Sequence, residues 1–262
     1  MEKIKVFFKQ SYLSYQALYG WADPKAFIFM SILNPIFQLC FFALVDSYIY
    51  KSSDVAGYIL GNAIILCSTS CVFGIGTSMT QDRYFGTLKI LLVSRADNMI
   101  TFIERSVVHL ITALITVCVA LGAGILIFSA DFSQISLFEV TLVLLVGIVS
   151  AALFGTFIAT IGLVTDSLNT VLNLFSLGFL IFTGANYPID RLPIVFRFIS
   201  YCLPMTRSIQ LGKALLKGET LSANMDLVIG ELAVGMVWFT VGYIALKAAE
   251  KLAIMWGNLD LY

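Results

Sequence analysis

Apolar residues in this chain fall into continuous runs, not alternating positions. Six such stretches stand out, at about residues 26–45, 55–80, 103–128, 137–164, 168–185 and 226–247. A helix needs roughly 20 apolar residues to cross the hydrocarbon core of a bilayer, so each run reads as a transmembrane helix, the fifth being short. A barrel would alternate apolar and polar positions, which these runs do not do. The pattern predicts an all-α integral membrane protein with a six-helix transmembrane domain over 26–247 and a tail at 248–262. Pro35, in Asn34-Pro35, removes a backbone hydrogen bond inside the first span and favours a kink there.

Composition agrees: 59% of the 262 residues are hydrophobic and 12% are charged. A soluble domain carries roughly 25% charged residues. The 16 basic and 16 acidic residues cancel, so no nucleic-acid partner is indicated. The lipid bilayer is the partner that the composition demands. The first 25 residues lack the compact apolar core and small-residue site of a cleavable signal peptide, so the first span is expected to act as an uncleaved insertion signal.

Charge placement orients the helices. Lys3, Lys5, Lys9 and Lys25 precede the first span, Arg83, Lys89, Arg95 and Arg105 lie between the second and third, and Lys247 and Lys251 follow the last. The loop at 46–54 has one lysine, and the loop at 129–136 has no basic residue. Both termini are therefore expected in the cytoplasm of a multi-pass protein of the cell membrane. Residues 186–225 break the rule, because Arg191, Arg197, Arg207, Lys213 and Lys217 fall on the outer side. Such a segment is expected to be structured and partly embedded, not a plain loop.

Residues 1–25 read as a cytoplasmic interfacial helix, with Val6, Phe7, Leu13, Ala17, Leu18 and Trp21 roughly on one face and Pro24 ending it. Residues 82–95 read as a second surface helix after the second span. Gly86 allows a sharp turn, Thr87 can cap the helix, and Leu88, Leu91 and Leu92 share a face.

The segment Asp82-Arg83-Tyr84-Phe85-Gly86-Thr87-Leu88-Lys89-Ile90-Leu91 resembles the Gly-Thr-Leu, leucine-rich segment of ABC-2 type transporter permeases. In that family the segment is the cytoplasmic coupling helix that docks on an ATP-binding subunit. The resemblance thus implies ATPase-subunit docking by Asp82, Arg83, Phe85, Gly86, Thr87, Leu88 and Leu91. The family pattern often has Glu before Gly-Thr-Leu and Pro after the leucines; here Asp82 and Ser94-Arg95-Ala96 stand in those regions. The second resemblance is Phe182-Thr183-Gly184-Ala185-Asn186-Tyr187-Pro188 through Leu192-Pro193 to Leu203-Pro204. In the family this stretch folds back as short re-entrant helices on the outer side, which implies a re-entrant region at 184–224. Pro188, Pro193 and Pro204 would break any continuous helix, and broken helices at membrane depth must be buried in protein.

The chain lacks a motor. Its one Gly-Lys pair, Gly212-Lys213, is followed by Ala214 and has no upstream glycine, so no phosphate-cradling loop exists. The resemblance implies that ATP and Mg belong to a partner ABC ATPase subunit. The resemblance likewise implies a second permease copy, identical or related, and no cofactor is expected on this chain itself.

Polar residues within the spans are the candidate translocation pathway: Ser31, Asn34 and Gln38 in the first, Ser68 with Thr69 and Ser70 in the second, Asn169 and Asn173 in the fifth. In the family spans one, two and five meet at the subunit interface and line the route. Helix–helix hydrogen bonding accounts for such residues equally well. Other positions have plainer readings. Cys67 and Cys71 stand at i,i+4 without a nearby His or carboxylate, so they read as packing and no metal site is expected. His109 reads as packing, and Asp166 with Ser167 and Asn169 as a turn and helix cap. Gly57-x-x-x-Gly61 and Ala151-x-x-x-Gly155 read as close helix contacts. Glu231, near the outer end of the sixth span, reads either as a substrate or subunit contact or as solvated at the membrane edge.

These readings converge on the permease of an ATP-driven exporter. An amphipathic drug, antimicrobial peptide or lipid-like cargo suits a seam with few charges; a glycan exporter of the same family is the alternative, given 21 Phe and 11 Tyr. An ion-coupled transporter would need inverted repeats and midplane ionisable groups, and only Glu231 qualifies. An intramembrane enzyme would need a catalytic pair at depth, whereas Asp131 and Asp166 lie at opposite faces.

Overall fold

The structure, a computed structural model, describes Leu13 and residues 24–50, 55–84, 86, 98–162, 165 and 167–256. Eight α-helices make up the described chain: α1 (Pro24–Tyr50), α2 (Val55–Tyr84), α3 (Asn98–Phe128), α4 (Leu137–Gly162), α5 (Leu168–Phe182), α6 (Ile194–Cys202), α7 (Thr206–Leu216) and α8 (Met225–Trp256). Short 3₁₀ turns at Ile189–Arg191 and Leu221–Asn224 flank the α6–α7 pair. No strand occurs among the described residues.

Four segments are long and apolar enough to cross a membrane: Val55–Thr77, His109–Phe128, Leu137–Gly162 and Leu221–Ala248. Two shorter apolar helices, Ile32–Val45 and Leu168–Phe182, complete the set of six apolar runs. The helices overrun the apolar windows at several ends. Proline at the first position of α1 costs no hydrogen bond, because that N–H has no intrahelical partner anyway. The helix also continues through Pro35. The fifth apolar run is expected to reach residue 185 but its helix stops at Phe182, where Thr183 and the left-handed Gly184 (φ +82°) turn the chain.

α2 is the central helix. It packs along α3 and α4 and also meets α1, α5 and α7, so nearly every residue from Ile59 to Ser68 is buried. Small residues let the axes approach. A methyl group on Gly61 would lie 3.1 Å from the Cβ of Ala185, and one on Gly155 3.2 Å from Ile75. Gly155 thus lets α4 approach α2, while Gly61 makes room for the turn that follows α5. Cys67 and Cys71 are buried free thiols within the same core.

α4 carries the other half of the core, against α2 on one side and α8 on the other. Phe154 sits at its centre, edge-on to Phe175, Phe179 and Trp238 at centroid distances of 5.0–5.8 Å. Aromatic pairs in that arrangement add about 0.5–1.5 kcal/mol each beyond the area they bury. α3 and α8 lie at the periphery and turn Ile111, Ile115, Leu126, Ile229, Val237 and Ile244 outward. An exposed apolar surface of that extent suits lipid and not water.

His109 lies against the start of this core. A methyl on Gly74 would fall 2.1 Å from its Nδ1, so the ring occupies the space that the glycine leaves. Packing is its observed role.

Candidate functional site

The basic, proline-broken segment after α5 folds back into the bundle. α7 wedges between α2, α4 and α8, where a methyl on Gly212 would lie 2.8 Å from Leu60, and one on Gly147 3.4 Å from Ser208. This region gathers beside Tyr58, Leu60 and Gly61 at the start of α2, at the opposite end of that helix from Gly86.

Each break in the backbone leaves helix-end amides and carbonyls without intrahelical partners, several of them buried. Charged side chains complete them. Glu231 of α8 is 0% exposed and caps α7 from outside its own sequence. Its Oε1 accepts the Met205 N–H at 2.5 Å, and its Oε2 accepts those of Arg207 at 2.9 Å and Ser208 at 3.3 Å. These are the first amides of α7, where the helix dipole is positive. Met205 stands at the cap position in the left-handed region, φ +73°, a conformation that costs a non-glycine residue about 1–2 kcal/mol. The carboxyl group holds that geometry from the side. Gly230 leaves room for it: a methyl there would lie 2.8 Å from Arg207 Cδ.

Glu231 is therefore neither solvated at a membrane edge nor directed to a second chain. Its partners are three backbone amides brought by a helix break 23–26 residues earlier in the sequence. Spacing within the sixth apolar run gives no sign of them; Leu203-Pro204, which ends α6, is the one local signal.

Cations serve the carbonyl ends in the same way. Lys213 donates from Nζ to the carbonyls of Gly184 and Ala185, each at 2.7 Å, and its ammonium lies 4.9 Å from the centre of the Tyr58 ring. Arg207 donates to the carbonyl of Tyr201 at 2.9 Å, at the end of α6, and Arg197 to that of Asp190 at 2.6 Å. Trp238 donates from Nε1 to the carbonyl of Cys202 at 2.8 Å. Asn62 donates to Asn186 Oδ1 at 2.7 Å and ties the turn after α5 to α2. Three of the five cations in this segment thus bond to backbone carbonyls, and the buried carbonyls of Gly184 and Ala185 would be orphaned without Lys213.

The candidate pathway residues separate into two groups. Ser68 is fully buried in the core, and Thr69 and Ser70 bond back to carbonyls of their own helix. Asn34, Asn169 and Asn173 are exposed, Gln38 is half-buried, and Ser31 lies outside the described side chains. The five whose side chains are described divide between a buried core position, Ser68, and exposed or half-buried positions on α1 and α5. On α5, Asn169, Asn173, Leu177 and Ile181 follow one another along an exposed face. On α1, Asn34 shares such a face with Phe37 and Phe41. Ser167 occupies the N-cap position of α5 but makes no capping bond with its side chain, contrary to the expected cap; Asp166 lies outside the described residues.

α2 runs on to Tyr84, so Asp82 and Arg83 belong to its last turn and not to a separate helix. Gly86 follows in a turn at φ +69°, exposed, with open space around its α-carbon. Phe85, Thr87, Leu88 and Leu91 lie outside the described residues, as does the stretch read as an interfacial helix, apart from an exposed Leu13 and the start of α1. Among the described residues no three His, Cys, Asp or Glu side chains gather as metal ligands.

The ABC-2 type transporter family matches the chain over residues 7–215, from the segment before α1 to the end of α7. No curated protein matches it. The match takes in α1 to α7, and the membrane-length helices fit it. The chain belongs to the ABC-2 type transporter family and is a multi-pass membrane permease of an ABC system.

Proposed function

We propose that this chain is the membrane half of an ATP-driven exporter, working as a pair of permeases moved by separate ATPase subunits. Family membership sets the class. The observation that carries the pairing is the exposure of Asn34, Asn169 and Asn173 on otherwise apolar helices. An amide side chain facing hydrocarbon leaves its donors and acceptors without partners, at a cost of several kcal/mol. A second permease copy on the α1 and α5 faces covers these groups and encloses a route with polar points along it.

In this reading all six apolar helices span the cell membrane, with both termini inside. The ATPase docks on the last turn of α2 and the residues that follow, Asp82 to Leu91. Its closure on ATP pushes along the most extensively packed helix of the bundle. Because α2 packs along α3 and α4, force at Gly86 reaches the whole bundle instead of bending one helix. The α7 wedge, clamped by Glu231 and Lys213, closes the opposite end. Cargo leaves outward between the two copies. An amphipathic drug, peptide or lipid-like molecule fits best, since Phe37, Phe41, Leu177 and Ile181 surround the few amides on those faces.

Replacing residues 86–91 with a Gly-Ser segment tests the docking reading. Co-purification of the ATPase with the permease is expected to fall sharply while the permease still inserts. Undiminished capture of the ATPase by the altered chain would remove the proposed docking site.

A further inference from the structure

A cavity of about 330 Å³ opens at the α7 end of the bundle, lined among others by Tyr58, Asp190, Gln210, Lys213, Lys217 and Glu219. Its size lies at the lower limit of small-molecule sites, which span roughly 300–1,000 Å³. A polar headgroup or an amino-acid-sized solute fits it, and a drug-sized cargo does not.

Its lining carries charge of both signs. Lys217, the residue that ends α7, follows Lys213 by four positions, and both line the cavity. Lys213 is fixed in place by the carbonyls of Gly184 and Ala185 and by the Tyr58 ring, so its charge stays at the cavity wall. The same lining holds Glu219, just past the left-handed Gly218, and Asp190 in the 3₁₀ turn. Asp190, Lys217 and Glu219 are exposed, and among the described residues none of the three forms an ion pair. Glu219 is oriented by the Asn224 amide, which donates to its Oε2 at 3.0 Å. Two ammonium groups and two carboxylates around one small cavity leave no net attraction for a plain anion or cation. They complement a molecule that carries both.

We propose that this cavity binds a zwitterion, with its phosphate or carboxylate toward Lys213 and Lys217 and its ammonium toward Asp190 and Glu219. The position favours a phosphoethanolamine-type group. The cavity lies at a bundle end, where charged side chains meet lipid headgroups. The same chemistry could arrive on a membrane lipid or on a free solute. The inference concerns a site apart from the α1 and α5 faces and does not rest on the exporter reading.

The test uses the full chain in detergent and native mass spectrometry, with phosphatidylethanolamine and phosphatidylglycerol offered as equal mixtures. Wild type is expected to retain the ethanolamine lipid at least threefold over the glycerol lipid. Asp190→Asn and Glu219→Gln, alone and together, are expected to remove that preference. Lys217→Ala is expected to weaken retention of both lipids. All three side chains are exposed, and a monodisperse gel-filtration peak confirms each variant's fold; the single variants serve if the double one fails. Soluble glycerophosphoethanolamine distinguishes the sources: binding without lipid assigns a free solute, and binding of the lipid alone assigns a headgroup. Equal retention of the two lipids, a preference that survives both carboxylate changes, or binding of neither probe would overturn the proposal.

Discussion

At the residue scale, the decisive interactions are those between charged side chains and broken backbone. Glu231 accepts from two buried amides and one part-buried amide, and each buried N–H left unsatisfied costs about 1–3 kcal/mol. Glu231→Ala is therefore expected to destabilise the protein by more than 2 kcal/mol, read as a clear drop in the thermal melting point of the purified chain. Glu231→Gln, which keeps one carbonyl acceptor, should recover part of that loss. Equal stability of wild type and Glu231→Ala would show that the clamp contributes nothing. Lys213→Met is expected to cost about 2–4 kcal/mol, because it removes two charge-assisted bonds at 2.7 Å while keeping the stem's bulk. These roles show where sequence reading stops. A lone Glu in an apolar run is conspicuous, and so are five cations in a segment that span parity would place outside. What each one touches depends on three-dimensional return of the chain, since Glu231 meets residues 205–208 and Lys213 meets residues 184–185. Local spacing carries no trace of such pairings.

At the element scale, the helices are fitted by glycine. α8 crosses α4 where a methyl on Gly242 would lie 2.9 Å from the Phe157 Cα. A backbone atom cannot rotate away, so Gly242→Ala is expected to push the two helices apart at about 1–3 kcal/mol. Gly122→Ala in α3 has nothing within 4 Å and is the matched control, expected to leave the melting point unchanged or slightly raised. A comparable loss from both substitutions would mean that helix propensity, not contact, sets the effect. Elements were the most legible level of the sequence. The long apolar runs fall on α1 to α5 and α8, because continuous hydrophobicity over a helix length has one structural solution in lipid. Boundaries were less legible. α2 extends to Tyr84 past the apolar run, since polar Gln81, Asp82 and Arg83 continue a helix readily once outside the hydrocarbon. Ser167 stands at the N-cap of α5 without making the bond that its residue type allows.

At the scale of the whole molecule, the proposed pairing places a second copy on the exposed amides of α1 and α5. Cysteine placed at Asn173 of α5 is expected to form a disulfide between two permease copies in membranes under mild oxidation, giving a dimer band on non-reducing gels. Cysteine at Val237, on the outer face of α8, should stay monomeric. Cross-linking through Val237 instead would move the pairing surface to the other side of the bundle. The central claim is that this chain supplies a gate and a neighbouring protein supplies the force. The most direct measurement reconstitutes the permease in vesicles, with and without its ATPase subunit, and follows a fluorescent amphipathic cargo on adding ATP. ATP-dependent transport with both proteins, and none with the permease alone, is the predicted result. Sustained uphill transport by the permease alone would contradict it.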